Sequence, residues 1–96
     1  MDKKLYRKRY EKFVDVLKFE RTCRFITQEE LAKKLGVTQT FISKIERGDR
    51  RIDVIELMEY CKATGISLSI LIQKIESRLH AEGLDDRKIK NPESSH

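Results

Sequence analysis

The chain of 96 residues reads as an all-α domain of five helices. Three observations predict this. Apolar residues recur at three- and four-residue spacing, and no segment alternates convincingly at period two. Four glycines, at 36, 48, 65 and 83, each follow such a stretch, where a left-handed residue closes a helix. The single proline is Pro92, so nothing in 1–91 breaks a helix by that route. An apolar content of 39% argues for a folded core over disorder, and a chain this short buries one core only. Residues 1–80 are expected to form that domain. The polar stretch 81–96, "AEGLDDRKIKNPESSH", reads as a flexible tail.

The first helix is expected over 3–22, with Tyr6, Tyr10, Phe13, Val14, Leu17 and Arg21 on one face. The second, 28–35, starts at a capping box: Thr27 caps and Glu30 stands three residues on. The third, 39–47, starts from Thr38 as a plain N-cap. The fourth, 54–63, follows a second box, Asp53 with Glu56, and offers Ile55, Leu57, Met58 and Cys61 to the core. The fifth, 68–80, follows Ser67 and carries Leu68, Leu71, Ile72, Ile75 and Leu79 as its stripe.

The second and third helices are too short to persist alone. Leu31 and Leu35 lie one turn apart on one; Ile42 and Ile45 share a face of the other; Val37 sits between them. Ala32 is small where the two must cross, and Gly36 lets the backbone reverse within about three residues. This is the physical pattern of a helix-turn-helix whose second unit turns its polar face outward.

The stretch "TQEELAKKLGVTQTFISKIERG" and the following "RRIDVIELMEYCKATGISL" resemble the phage repressor/Cro-type (XRE) helix-turn-helix family, with its compact lambda-repressor-like five-helix fold. The resemblance covers roughly 17–71. It departs at the N-terminus, where the first helix is longer than usual and strongly basic. It implies a sequence-specific, double-stranded-DNA-binding transcriptional regulator acting as a repressor, with the third helix in the major groove. The base-contacting candidates are then Thr38, Gln39, Thr40, Ser43 and Lys44. A Gln amide suits adenine N6 and N7, a Lys suits guanine O6 or N7, and a Thr methyl suits thymine. Phosphate-contacting candidates are Gln28, at the start of the second helix, and Arg47, Arg50 and Arg51 behind the third. The resemblance also implies a structural ion pair between Arg21 and Glu46. Phe41 either covers the rim of the core or touches DNA. Lys33 and Lys34 are either further phosphate contacts or solvated.

Charge is uneven. Through Arg51 there are 15 Lys/Arg against 8 Asp/Glu, net +7; from Ile52 onward there are 6 against 8, net −2. This asymmetry fits a polyanionic partner, nucleic acid before membrane. The run Lys3, Lys4, Arg7, Lys8, Arg9 and Lys12 reads as a solvated helix face, with contact to DNA or another anionic partner as the alternative. One helix-turn-helix covers half a site, so a homodimer on a two-fold operator is expected, paired through Ile66, Ile70 and Leu84 around the fifth helix. Cys23, Cys61 and His80 have no metal-like spacing. No paired carboxylates or glycine-rich phosphate loop stands out, so no enzyme, metal, cofactor or small-molecule ligand is expected. No apolar run approaches a membrane span, and a cytoplasmic protein of bacterial or phage origin is expected. The alternative function is an antitoxin or protein-interaction module that keeps this fold. Such a module would not need Gln39 and Lys44 flanked by arginines.

Overall fold

Every helix starts on a side-chain cap, and the caps set the element order. The computed structural model describes residues 1–85. Its helices are α1 (Lys3–Thr22), α2 (Gln28–Leu35), α3 (Gln39–Glu46), α4 (Val54–Thr64) and α5 (Leu68–Ala81), and no strand occurs among the described residues. The Asp2 carboxylate accepts from the Lys4 and Leu5 amides at 2.9 and 3.2 Å. Thr27 and Glu30 form a reciprocal capping box, as do Asp53 and Glu56; Thr38 and Ser67 cap α3 and α5. Three C-terminal ends differ from the sequence expectation by one residue, within the ordinary fraying of last turns. The expected tail 81–96 lies mostly outside the described residues. Within them, Ala81 ends α5 and the Leu84 carbonyl accepts from Arg9 Nε at 2.6 Å, so the chain folds back on α1.

The turn between α2 and α3 is closed by backbone geometry. Gly36 takes φ +70°, its amide donates to Lys33 O, and the Val37 amide donates to Ala32 O at 3.0 Å. These two bonds satisfy two of the last four carbonyls of α2 while the chain reverses. Ala32 is buried in the core cluster. Phe25, between α1 and α2, also holds a left-handed φ, +58°, with its ring out in solvent.

The core gathers Leu17 of α1, Leu31 of α2, Ile42 and Ile45 of α3, Tyr60 of α4 and Leu71 of α5, all essentially inaccessible. Its remaining members include the expected Val14, Ala32, Leu57, Cys61 and Ile75, but depart from the sequence expectation elsewhere. On α4 the buried phase is Leu57, Tyr60, Cys61 and Thr64, whereas Ile55 and Met58 face solvent. On α5 only Leu71 and Ile75 are fully buried; Ile72 is exposed. Ile66, expected at a pairing surface, is in the core at the start of the α4–α5 link, and Leu84 is half-buried. On α1, Tyr6 is exposed, while Val16 and Glu20 join the buried set. On α1, α4 and α5 the buried phase is set by the neighbouring helices, and residue hydrophobicity alone does not report it.

A Cβ at position 36 would meet nothing within 4 Å, so the cost of a side chain there is backbone strain only. Gly36→Ala is expected to lower unfolding stability by about 1–2 kcal/mol without altering the fold, read from a urea midpoint and an unchanged circular-dichroism spectrum.

Candidate nucleic-acid interface

α3 has two unlike sides. Ile42, Ile45 and Glu46, at three- and four-residue spacing, point inward and are buried. Gln39, Thr40 and Lys44 point outward and are exposed, with Ser43 half-buried beside them. Thr38, also exposed, accepts the Phe41 amide at 3.1 Å as the helix cap. Phe41 is half-buried against the core, and the Arg50 guanidinium stacks on its ring at 4.3 Å.

The inward side is anchored at one carboxylate. Arg21 Nε donates to Glu46 Oε2 and Arg21 Nη2 to Oε1, both at 2.7 Å, a bidentate fork. Gln28 Nε2 donates to Oε1 at 3.0 Å, and the Tyr60 hydroxyl lies 2.7 Å from Oε2. That hydroxyl is also 3.2 Å from the Leu17 carbonyl, but its one proton serves the shorter, charge-assisted bond. Arg21 spends its remaining terminal nitrogen on the Ile26 carbonyl at 2.7 Å. Four donors from α1, α2 and α4 thus converge on a residue of α3. Gln28 continues the chain of contacts outward, since its carbonyl oxygen lies 3.5 Å from Gln39 Nε2.

The flanking cations divide by what already holds them. Arg50 makes a second fork, with both Glu56 oxygens at 3.0 and 2.9 Å, and so ties the loop after α3 to α4. Arg47 caps α3, reaching Ser43 Oγ at 2.7 Å and the exposed Asp49 at 3.0 Å. Arg51 is exposed and lies over the rings of Tyr10 and Tyr6, at 4.3 and 5.2 Å. Tyr10 Oη accepts the Ile52 amide at 3.1 Å, which fixes this loop against α1. Sequence reasoning missed Tyr60 and Glu20, and placed Tyr10 on the inner face of α1 without its hydrogen bond to Ile52. The signal for Tyr60 was its phase with Leu57, Cys61 and Thr64.

Comparison with known proteins follows the same outline. A helix-turn-helix family model (HTH_3) matches residues 26–71. The chain is similar to the HTH-type transcriptional regulator y4dJ of Sinorhizobium fredii (strain NBRC 101917 / NGR234), 43% identical over 42 residues, which is 44% of this chain and 54% of that protein. It therefore spans about half the length of this curated relative. A solved structure, an XRE-family like protein from Pseudomonas syringae pv. tomato str. DC3000, superposes with a TM-score of 0.74 at 41% identity, covering 78% of this chain and 92% of that one. The chain belongs to the XRE family of helix-turn-helix proteins. The family is one of DNA-binding transcription regulators and is not enzymatic. Among the described residues no cluster of three His, Cys, Asp or Glu side chains is placed to hold a metal, and no helix is long and apolar enough to cross a membrane.

In this XRE domain the charge at the centre is preserved by its donors. Burial pushes the Glu46 carboxyl up, but hydrogen bonds from Arg21, Tyr60 and Gln28 outweigh burial and hold it below the usual carboxylate range. Burial and the adjacent carboxylate push the Tyr60 hydroxyl up, so it stays a donor throughout the physiological range. Glu20, buried between α1 and α5, behaves like Glu46: burial raises it, and Arg24 at 2.7 Å and Lys74 at 3.1 Å bring it below its ordinary value.

Removing one partner of a buried pair leaves the other charge uncompensated. Glu46→Ala is expected to cost about 3–5 kcal/mol, and Tyr60→Phe about 1.5–3 kcal/mol, in urea melts at neutral pH. Because the folded-state pKa of Glu46 is depressed, its contribution is fully present above the ordinary carboxylate value, about 4.3. It is lost as pH falls through the folded value. Melts repeated down to about pH 2 should show this decline, and Glu46→Gln should lose its share of the slope. A pH profile identical to the native one would contradict the assignment.

Proposed function

We propose that this chain binds double-stranded DNA sequence-specifically and represses transcription by occupying an operator, with α3 in the major groove. The observation that carries this is the two-sidedness of α3. Its inner side is locked by the four donors on Glu46, and its outer side offers Gln39, Thr40 and Lys44 to solvent with no apolar residue among them.

In this reading Gln39 pairs with adenine N6 and N7, Lys44 with guanine, and the Thr40 methyl with thymine. Gln28 orients Gln39 from behind while the start of α2 faces a phosphate. Thr38 and Ser43 each have a proton left to donate, since the contacts they make are as acceptors. Arg47 and Arg51 are the better phosphate anchors, because their internal contacts are exposed or uncharged. Arg50, forked onto Glu56, serves the loop instead. Two copies would read a two-fold operator, paired through the exposed Ile70 and Ile72 of α5.

Selection from random duplexes followed by titration tests the readers. Gln39→Ala and Lys44→Ala should each cost about 1–3 kcal/mol at one position of the selected site and relax the choice of base there. Arg47→Ala should weaken all duplexes alike and lower the salt slope by about one. If neither Gln39→Ala nor Lys44→Ala moves affinity or preferred site, the reading of α3 is wrong. Sedimentation of wild type and Ile70→Asp tests the pairing: a dimer converted to a monomer is expected, and a native monomer at high concentration excludes it.

A further inference from the structure

The strip of α1 that holds the reading unit runs on past the unit's edge. Tyr10, Val14, Leu17 and Arg21 recur at alternating four- and three-residue spacing, which keeps side chains on one side of a helix. Val14, Leu17 and Arg21 are buried, Arg21 ends on Glu46 of α3, and Tyr10 binds the Ile52 amide. The two preceding positions on the same strip are Lys3 and Arg7, both exposed. At a rise of 1.5 Å per residue, Arg7 lies about 4.5 Å and Lys3 about 10.5 Å beyond Tyr10 along the axis. These two cations therefore extend the positive surface that begins where Arg51 rests on Tyr10.

Other cations of this segment are turned elsewhere. Arg9 donates to the Leu84 carbonyl and Lys12 faces Glu82 at 3.8 Å, both at the far end of α5. Lys4 and Lys8 are exposed but fall on the side of α1 away from the strip. On this side of α1 the two aromatic rings, Tyr6 and Tyr10, already carry the Arg51 guanidinium.

We propose that Lys3 and Arg7 form a second phosphate-binding element, which clamps the sugar–phosphate backbone of duplex DNA beside Arg51 and extends the contact beyond the helix-turn-helix. The inference rests on the DNA-binding reading above. Its partner is the backbone and not the bases, so it adds affinity and salt dependence without sequence choice.

The test compares the full chain with two double variants, Lys3→Ala/Arg7→Ala and Lys4→Ala/Lys8→Ala, which remove equal charge from different sides of one helix. Each is titrated by anisotropy across a salt series against a duplex selected from random oligonucleotides and against its scrambled sequence. Unchanged urea melts, expected for exposed positions, show that both variants fold. Lys3→Ala/Arg7→Ala should lower the slope of log K against log salt by about two and weaken selected and scrambled duplexes by the same factor. Lys4→Ala/Lys8→Ala should leave the slope near the native value. Equal losses in both variants would mean a diffuse field and overturn the proposed contact. A native slope in Lys3→Ala/Arg7→Ala would overturn it too, while leaving the function of α3 intact. Phosphatidylserine vesicles bound through Lys3 and Arg7, with the DNA slope untouched, would assign the strip to a membrane instead. A native chain that binds no duplex at low salt would remove both readings.

Discussion

The domain depends on one carboxylate. Glu46 sits at the last turn of α3, and all its lone pairs point at donors from other helices: the Arg21 fork, the Gln28 amide and the Tyr60 hydroxyl. An eight-residue helix has little intrinsic stability, so its position must come from outside. Ile42 and Ile45 choose which side of the helix faces the core, but apolar burial is not directional and leaves play about the helix axis. Hydrogen bonds to a carboxylate are directional, and this set reaches α3 from three sides. The rotation that turns Gln39 and Lys44 to solvent is therefore chosen by the apolar side and narrowed by electrostatics on that same side of the helix.

The same network joins the interior to the surface. Glu46 binds Gln28, and Gln28 lies against Gln39, so the buried charge and a proposed base reader are two contacts apart. On the other flank the loop after α3 is held twice, by the Arg50–Glu56 fork and by the Tyr10–Ile52 hydrogen bond. The excess of positive charge in the first half of the chain thus splits into two kinds. Arg21 and Arg50 are consumed in building the domain, while Arg47, Arg51 and the N-terminal turn of α1 remain at the surface.

Much of this was legible in the chain itself, for local reasons. Helix starts follow from residues that bond within three positions of themselves, such as Thr27 with Glu30 and Asp53 with Glu56. The α2–α3 turn follows from Gly36, the one residue type at ease with its backbone angle. What local pattern could not show is which polar residues go inside. Tyr60 is buried because Glu46 stands opposite it, 14 residues away, and Glu20 because Lys74 does, 54 residues away. Ile55 and Met58 were the more apolar candidates on α4, yet they face water, because Tyr60 has a partner for its hydroxyl and so takes the inner phase. The Arg21–Glu46 contact was suggested by family resemblance and not by spacing, since 25 residues separate the two.

The chain contains no tryptophan and three tyrosines, and each tyrosine sits at a joint. Tyr60 bonds the central carboxylate, while Tyr6 and Tyr10 lie beneath the Arg51 guanidinium. Tyrosine emission from this protein therefore comes from rings that touch either the interior charge or the loop behind α3. Lifting Arg51 from its aromatic seat changes the surroundings of two of the three emitters and spares the third. Displacement of the loop therefore perturbs two of the fluorophores, whereas loss of the core perturbs all three.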